Sequence, residues 1–215
     1  MQFYGYFRSS SAYRCRIAFN LKGLEYDFTS VHLRRGGGQQ KTPEYRAMNP
    51  QALVPTLVNG DLTLIQSMAI LEWLEDTYPE PAILPADKDK RAQVRAFANI
   101  IACDVHPLQN LRVLQYLGDE FGADQAAKDA WCQRWITDGL MACEDLLAKQ
   151  SHGSAFCFGE TPGLADICLV PQVFSAGRFG VDLAAMPRVT AVYEACQALS
   201  AFANAAPGKQ PDAEE

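Results

Sequence analysis

No stretch of the chain approaches the roughly 18 consecutive apolar residues that a bilayer span needs. The N-terminus also lacks a basic-then-apolar leader ending in small residues. Both absences predict a cytoplasmic protein that does not enter membranes. Histidine is scarce, at 3 in 215 residues, and none stands at zinc-finger spacing from a cysteine. The seven cysteines (Cys15, Cys103, Cys132, Cys143, Cys157, Cys168 and Cys196) are an odd set without a CxxC pair. They imply neither a disulfide framework nor a metal site. Positive charge is in short supply, with 19 Lys and Arg against 25 Asp and Glu, a net charge of -6. That balance is poorly suited to gripping a phosphate backbone and excludes nucleic acid as a partner. Gly36-Gly37-Gly38 is not followed by GK[ST] and reads as a flexible loop, not a nucleotide loop. There is no internal repeat and no low-complexity tract.

What remains is ordinary globular material, 48% hydrophobic and 20% charged. The chain is long enough to bury a sizeable core without staples. The charge is uneven along it. Residues 1–35 carry six Lys and Arg against Glu25 and Asp27, a local +4 that leaves -10 for the rest. A cationic start on an acidic body suits small anions near the N-terminus, and equally a solvated face.

Gln2 to Phe7 is aromatic-rich and alternates about a glycine, as a short strand does. Arg8-Ser9-Ser10-Ser11 follows, a hydroxyl cluster of the kind that caps helices, and then Tyr13, Ile17, Leu21 and Leu24 at helical spacing. Tyr26 to Leu33 reads as a second strand. Thr56 to Val58 and Leu62 to Ile65 flank Asn59-Gly60-Asp61, a hairpin signal, after which Ser67 is expected to cap a helix to about Thr77. The order βαβ, short helix, ββα suits a small mixed sheet covered by helices.

Pro79, Pro81 and Pro85 mark a linker, beyond which the patterns are helical. Val94, Phe97, Ile101, Val105 and Leu108 form one stripe, expected to kink at Pro107. Cys132, Ile136, Leu140, Cys143 and Leu147 form another, whose spacing puts all five on one helix face as core. The chain therefore divides into a mixed α/β domain over 1–80, a linker over 81–89, an all-helical domain over 90–203 and a loose tail over 204–215.

Three motifs carry chemistry. In RSSSAYRCRIAF (Arg8 to Phe19), hydroxyls lie beside the unsatisfied N–H groups and positive dipole end of a helix, a place for an anion such as a thiolate or simply an N-cap. In Leu53-Val54-Pro55-Thr56-Leu57, a proline entering a strand is compatible with a cis peptide that presents the Val54 backbone to an extended, peptide-like ligand. In Gln66-Ser67, the hydroxyl and free N–H groups at a helix start can hold a carboxylate or serve as a plain cap.

Taken together, RSSSAYRCRIAF, then LVPTL, then QS at a helix start resemble the zeta class of glutathione transferases. The resemblance continues through GGGQQ, NPQALVPTL, HPLQNLRVL, LADICLVPQV and the closing QPD. It implies a thioredoxin-like N-terminal domain with an all-helical C-terminal domain, a homodimer, and glutathione as cofactor. It assigns Ser9 and Ser10 to the glutathione sulfur, with Ser9 as the thiolate donor. Gln40 and the Val54 backbone are assigned to the glycyl and cysteinyl parts, and Gln66 and Ser67 to the γ-glutamyl end. His106, Asn110 and Arg112 take ligand-facing positions, the first two with the cofactor. Arg8, Arg112 and Arg178 are assigned to substrate carboxylates, Arg8 with a part in catalysis.

Departures accompany the match. Ser11 stands where the family motif has cysteine, and joins the cofactor-binding set as a hydroxyl. Gly163 replaces the usual Ser or Thr cap before the LAD segment, leaving Asp166 as half of a capping box. His106 and Arg112 look more like bacterial maleylpyruvate isomerases than like animal maleylacetoacetate isomerases. The implied activity is glutathione-dependent cis-trans isomerisation of a maleyl keto-dicarboxylate, maleylacetoacetate to fumarylacetoacetate, in aromatic catabolism. The alternatives are the same chemistry on maleylpyruvate, a general detoxifying glutathione transferase, and a non-enzymatic adaptor on the same scaffold.

Overall fold

The computed structural model describes residues 1–150 and 153–214 in two compact units, Met1–Ile83 with Ala198 onward, and Leu84–Gln197. The first unit is built on β1 (Gln2–Gly5), α1 (Ser10–Leu21), β2 (Asp27–Ser30), α2 (Pro43–Met48), β3 (Thr56–Asn59), β4 (Leu62–Ile65) and α3 (Ser67–Thr77). Its four-stranded sheet runs β2-β1-β3-β4, with β1 and β2 parallel and the remaining pairs antiparallel. The two expected strands at the start are shorter than Phe7 and Leu33 would allow. Beyond Gly5, the Phe7 N–H leaves the ladder for the Asp212 carboxylate at 3.0 Å, and Tyr6 turns its carbonyl to the Ser9 N–H at 3.0 Å.

Alternation along β1 buries Phe3 and Gly5 against α1. Phe3 meets the rings of Phe19 and Tyr26 edge-on, with centroids 5.2 and 5.4 Å away. A Cβ on Gly5 would lie 3.2 Å from the Phe28 and Phe3 rings and 3.3 Å from the Ala12 Cβ, so the close approach of helix to sheet depends on glycine here. Full burial of each such aromatic or aliphatic side chain contributes about 1.5–3 kcal/mol.

The second unit contains α4 (Lys88–Asn99), α5 (Leu111–Phe121), α6 (Gln125–Ala148), α7 (Leu164–Arg178) and α8 (Pro187–Gln197). The expected stripe from Val94 to Leu108 is not one kinked helix. α4 ends at Asn99, widens into a π-helical turn over Ile100–Val105 and tightens into a 3-10 turn over His106–Gln109, where Pro107 lacks the donor that an α-helix would need. Gly139 of α6 faces this widened turn. A Cβ there would come within 2.0 Å of the Val105 Cγ2, so glycine allows the two segments to touch. The expected stripe Cys132, Ile136, Leu140, Cys143 and Leu147 is buried along α6.

Asp166 accepts from the Gly163 N–H at 2.8 Å and the Cys157 N–H at 2.9 Å. The first of these is the half capping box that the sequence implied. Glu144 accepts from the N–H groups of Arg188 and Val189 at 2.9 and 2.8 Å. A carboxylate of α6 thereby satisfies the first turn of α8. No helix among the described residues is long and apolar enough to cross a membrane.

The expected loose tail at 204–215 is corrected by the structure. Residues 198–214 return to the first unit through α9 (Ser200–Ala203) and a 3-10 turn over Pro207–Lys209. Phe202 is fully buried, and the carbonyls of Phe202 and Ala205 accept from the Tyr13 hydroxyl and the Arg16 guanidinium at 3.4 and 2.9 Å. Asp212 accepts from Phe7 and from the Ser30 hydroxyl, the latter at 2.8 Å, while Glu214 meets His32 and Arg35. These partners are polar and distant in sequence, so the Ala, Pro and acidic composition of the segment gives no sign of them.

Candidate functional site

Ser9 occupies the N-cap of α1 with extended backbone angles, and its Oγ accepts from the Ala12 N–H at 3.2 Å. This is the usual way in which a hydroxyl satisfies one free donor of a helix start. Two residues on, the buried Ser11 donates its hydroxyl to the Val54 carbonyl at 3.0 Å. A serine has one hydroxyl proton. The 3.0 Å contact between the two hydroxyls is therefore a donation from Ser9 to Ser11. The result is a directed chain from Ser9 through Ser11 to Val54, which joins the first turn of α1 to the segment entering β3. Ser11 thus supports Ser9 and Val54 from behind, with its own proton engaged within the protein.

The Val54 segment is held from its other side. The Tyr45 hydroxyl and the Asn49 amide both donate to the Leu53 carbonyl, at 2.7 and 2.8 Å. The Val54-Pro55 peptide is cis, as the sequence pattern allowed. With its carbonyl taken by Ser11, Val54 keeps a backbone N–H with no acceptor among the described residues.

Gln66 and Ser67 start α3 in a way the sequence did not predict. Ser67 is the first helical residue and not its cap; Gln66 holds the cap position at φ 69° and makes no side-chain capping bond. A non-glycine residue at positive φ is a costly conformation that tends to collect at functional sites. It directs the Gln66 amide outward to Gln51 at 2.5 Å and leaves the Ser67 hydroxyl at the helix N-terminus. There Ser67 Oγ accepts a single hydrogen bond, from Arg14 at 3.2 Å, and the Ser67 proton has no acceptor among the described residues. Gln40 is buried in the loop before α2, donating to the Leu33 carbonyl at 3.3 Å while its Oε1 has no partner among the described residues.

The remaining expected residues are structured as follows. Arg8 is half-buried beside the hydroxyl cluster and lies over the Phe7 ring, 5.4 Å from its centroid. In the second unit, His106 opens the 3-10 turn, Asn110 caps α5 by accepting from the Arg112 N–H at 3.1 Å, and Arg112 is exposed in the first helical turn. Arg178 is exposed in the last turn of α7, 5.5 Å from the Phe179 ring centroid.

Arg14 was not legible as a site residue. Arg14 counted only as part of the cationic start, and its partner lies 53 positions away. Four of the buried cysteines are unsuited to nucleophilic work. Burial pushes the Cys132 thiol up to about 11 and the Cys143 thiol up to about 12, and raises Cys157 and Cys196 further. Cys103 is the one exposed cysteine among the described residues.

The donor set suits an extended peptide anion. An unengaged backbone N–H at Val54 can pair with a cysteinyl unit. The Ser67 hydroxyl and the first N–H groups of α3 suit a carboxylate, and the Ser9 hydroxyl at the positive end of α1 suits a thiolate.

Comparison with known proteins points the same way. The family model for the N-terminal domain of glutathione S-transferases matches residues 3–82. A maleylpyruvate isomerase of Ralstonia sp is 52% identical over 212 residues, covering 99% of each chain. The holo structure of a maleylpyruvate isomerase, described as a bacterial zeta-class glutathione S-transferase, is 51% identical with a TM-score of 0.97 over 100% of both chains. A maleylacetoacetate isomerase from Methylobacterium extorquens AM1, solved with bound malonate and glutathione, is 38% identical with a TM-score of 0.95, again over 100% of both chains.

Proposed function

The chain belongs to the zeta class of glutathione transferases, and from that membership we propose that it is a glutathione-dependent cis-trans isomerase converting maleylacetoacetate to fumarylacetoacetate in aromatic catabolism. The observation that carries the reading is the hydroxyl chain from Ser9 through Ser11 to Val54. It unites an anion-stabilising helix start with a peptide-pairing backbone segment.

Rotation about an intact double bond is too slow for catalysis. Glutathione, when bound, supplies a sulfur nucleophile whose reversible addition leaves a single bond free to turn. Ser9, by turning its hydroxyl from Ser11 toward the sulfur, and the α1 N-terminus favour the ionised form. Ser10 stands beside it in the same turn. Val54 pairs with the cysteinyl backbone, Gln40 takes the glycyl part, and Gln66 and Ser67 take the γ-glutamyl end. Ser11 acts through Ser9 and Val54. His106 and Asn110 belong to the cofactor set as well, Asn110 being the cap of α5. Arg8, Arg112 and Arg178 hold the substrate carboxylates, and Arg8 also faces the negative charge that develops on the ketone oxygen.

Maleylpyruvate is the second reading of the substrate. It is favoured by the 52% identity to the Ralstonia enzyme and by His106 and Arg112, which resemble the bacterial maleylpyruvate isomerases. A spectrophotometric assay of the purified protein with each maleyl keto acid, with and without glutathione, decides between them. Turnover of neither substrate overturns the isomerase reading. The same membership supports a cytoplasmic homodimer, tested by light scattering for twice the chain mass of 23.7 kDa.

A further inference from the structure

The first unit buries three Lys and Arg side chains, and their surroundings differ sharply. Lys22 donates to the Glu75 carboxylate and to the carbonyls of Tyr78 and Pro81, at 2.9, 2.6 and 3.0 Å. Arg16 donates to the carbonyls of Ala205, Phe7 and Tyr6, at 2.9, 3.0 and 3.5 Å, and burial still lowers its pKa to about 10. Arg14 is only 2% exposed, yet among the described residues it has one partner, the Ser67 Oγ, while its Nε and Nη2 make no hydrogen bond. No carboxylate pairs with it among the described residues. A buried cation without a counter-charge is costly, and removing water from three donor nitrogens while offering one hydroxyl compounds the cost.

That cost is explained if the missing counter-ion arrives with the ligand. We propose that Arg14 is a positioning residue for glutathione, acting through Ser67 on the ligand's γ-glutamyl α-carboxylate. The geometry supplies the means. By donating to the Ser67 Oγ, Arg14 occupies one acceptor lobe and turns the hydroxyl proton outward as a donor. The buried positive charge then adds to the dipole of the 11-residue helix α3 at the same point. The inference rests on the glutathione reading given above and deepens it by assigning a residue that does not itself touch the ligand.

Calorimetry with two ligands tests it: glutathione, and 4-aminobutanoyl-cysteinyl-glycine, which keeps the amine and lacks only that carboxylate. The readout is the ratio of the two dissociation constants. Arg14→Met is expected to weaken glutathione about tenfold, in the range of a lost charge-assisted hydrogen bond, while changing the analogue less than about twofold. The ratio thus collapses, and Ser67→Ala on top of it adds little. Arg14→Lys keeps a charge without the guanidinium's fixed reach, and is expected to restore part of the ratio. If Arg14→Met does not fold, the ratio must still fall at least about threefold in Arg14→Lys.

An unchanged ratio in a folded variant, or equal weakening of both ligands, makes Arg14 a packing residue and overturns the inference. A wild-type protein that binds neither ligand overturns the glutathione reading itself.

Discussion

Ser11 and Val54 are 43 residues apart in sequence and joined by one hydrogen bond of 3.0 Å, hydroxyl to carbonyl. The resemblance places a cysteine at position 11, and a thiol is a weaker donor over a longer reach. Serine makes this the firmer tie. Ser11→Ala is expected to cost about 1–2 kcal/mol in denaturant unfolding, because it leaves a buried carbonyl without its donor. It should also weaken glutathione binding, since the Val54 segment loses its anchor. Ser11→Cys should fall between. Urea melts and calorimetry on both variants check the order.

Ser9 has a cap's role and a proposed sulfur-binding role, and the two separate experimentally. Removing the cap costs about 1 kcal/mol of stability whatever the ligand does. Removing the hydroxyl from the sulfur raises the bound thiol's pKa by about one unit, equivalent to about 1.4 kcal/mol. Ultraviolet titration of thiolate absorbance in the binary complex of Ser9→Ala reads the second effect alone. A pKa equal to wild type leaves Ser9 as a cap.

Arg8 and Arg178 are expected to act on the dicarboxylate and not on the cofactor. Arg8→Ala and Arg178→Ala should each lower kcat/KM for the maleyl keto acid about tenfold or more, the magnitude of one charge-assisted contact. Glutathione affinity should stay within about twofold of wild type in both. Steady-state kinetics paired with calorimetry separates the two effects.

The C-terminal contact with the loop after β2 is pH-dependent. Some desolvation acts on the Glu214 carboxyl, but the His32 hydrogen bond and the charges of Arg35 and His32 outweigh it and hold the pKa below the ordinary 4.5. A carboxyl lowered in the folded state contributes stability above its unfolded value and loses it as pH falls through the lowered value. Thermal melts of wild type and Glu214→Gln should therefore differ at pH 7 and converge in acid, once the pH has fallen below the lowered pKa. A constant difference across that range contradicts the ion-pair account.

What the sequence revealed, and what it hid, follows from the range of each interaction. The stripe from Cys132 to Leu147 and the Ser9 cap were legible because spacing and capping are local. Ser67 was misread as a cap because nothing local announces that Gln66 adopts φ 69°. The widened turn after Asn99 was hidden because the close contact that Gly139 of another helix makes with Val105 there is not local. Arg14 is visible in the sequence only as one charge of the cationic start, because composition cannot show that its side chain is buried against Ser67. Asp212 is 205 residues from the Phe7 amide it accepts from, beyond the reach of any periodicity.

The return of residues 198–214 to the first unit has a consequence for biosynthesis. While the ribosome is still adding α4 to α8, the nascent β1–α3 segment lacks Phe202, the carbonyl for Arg16 and the carboxylate for Phe7. Its folding can be completed only after the codons for residues 198–214 have been read, although its own strands are translated well before them.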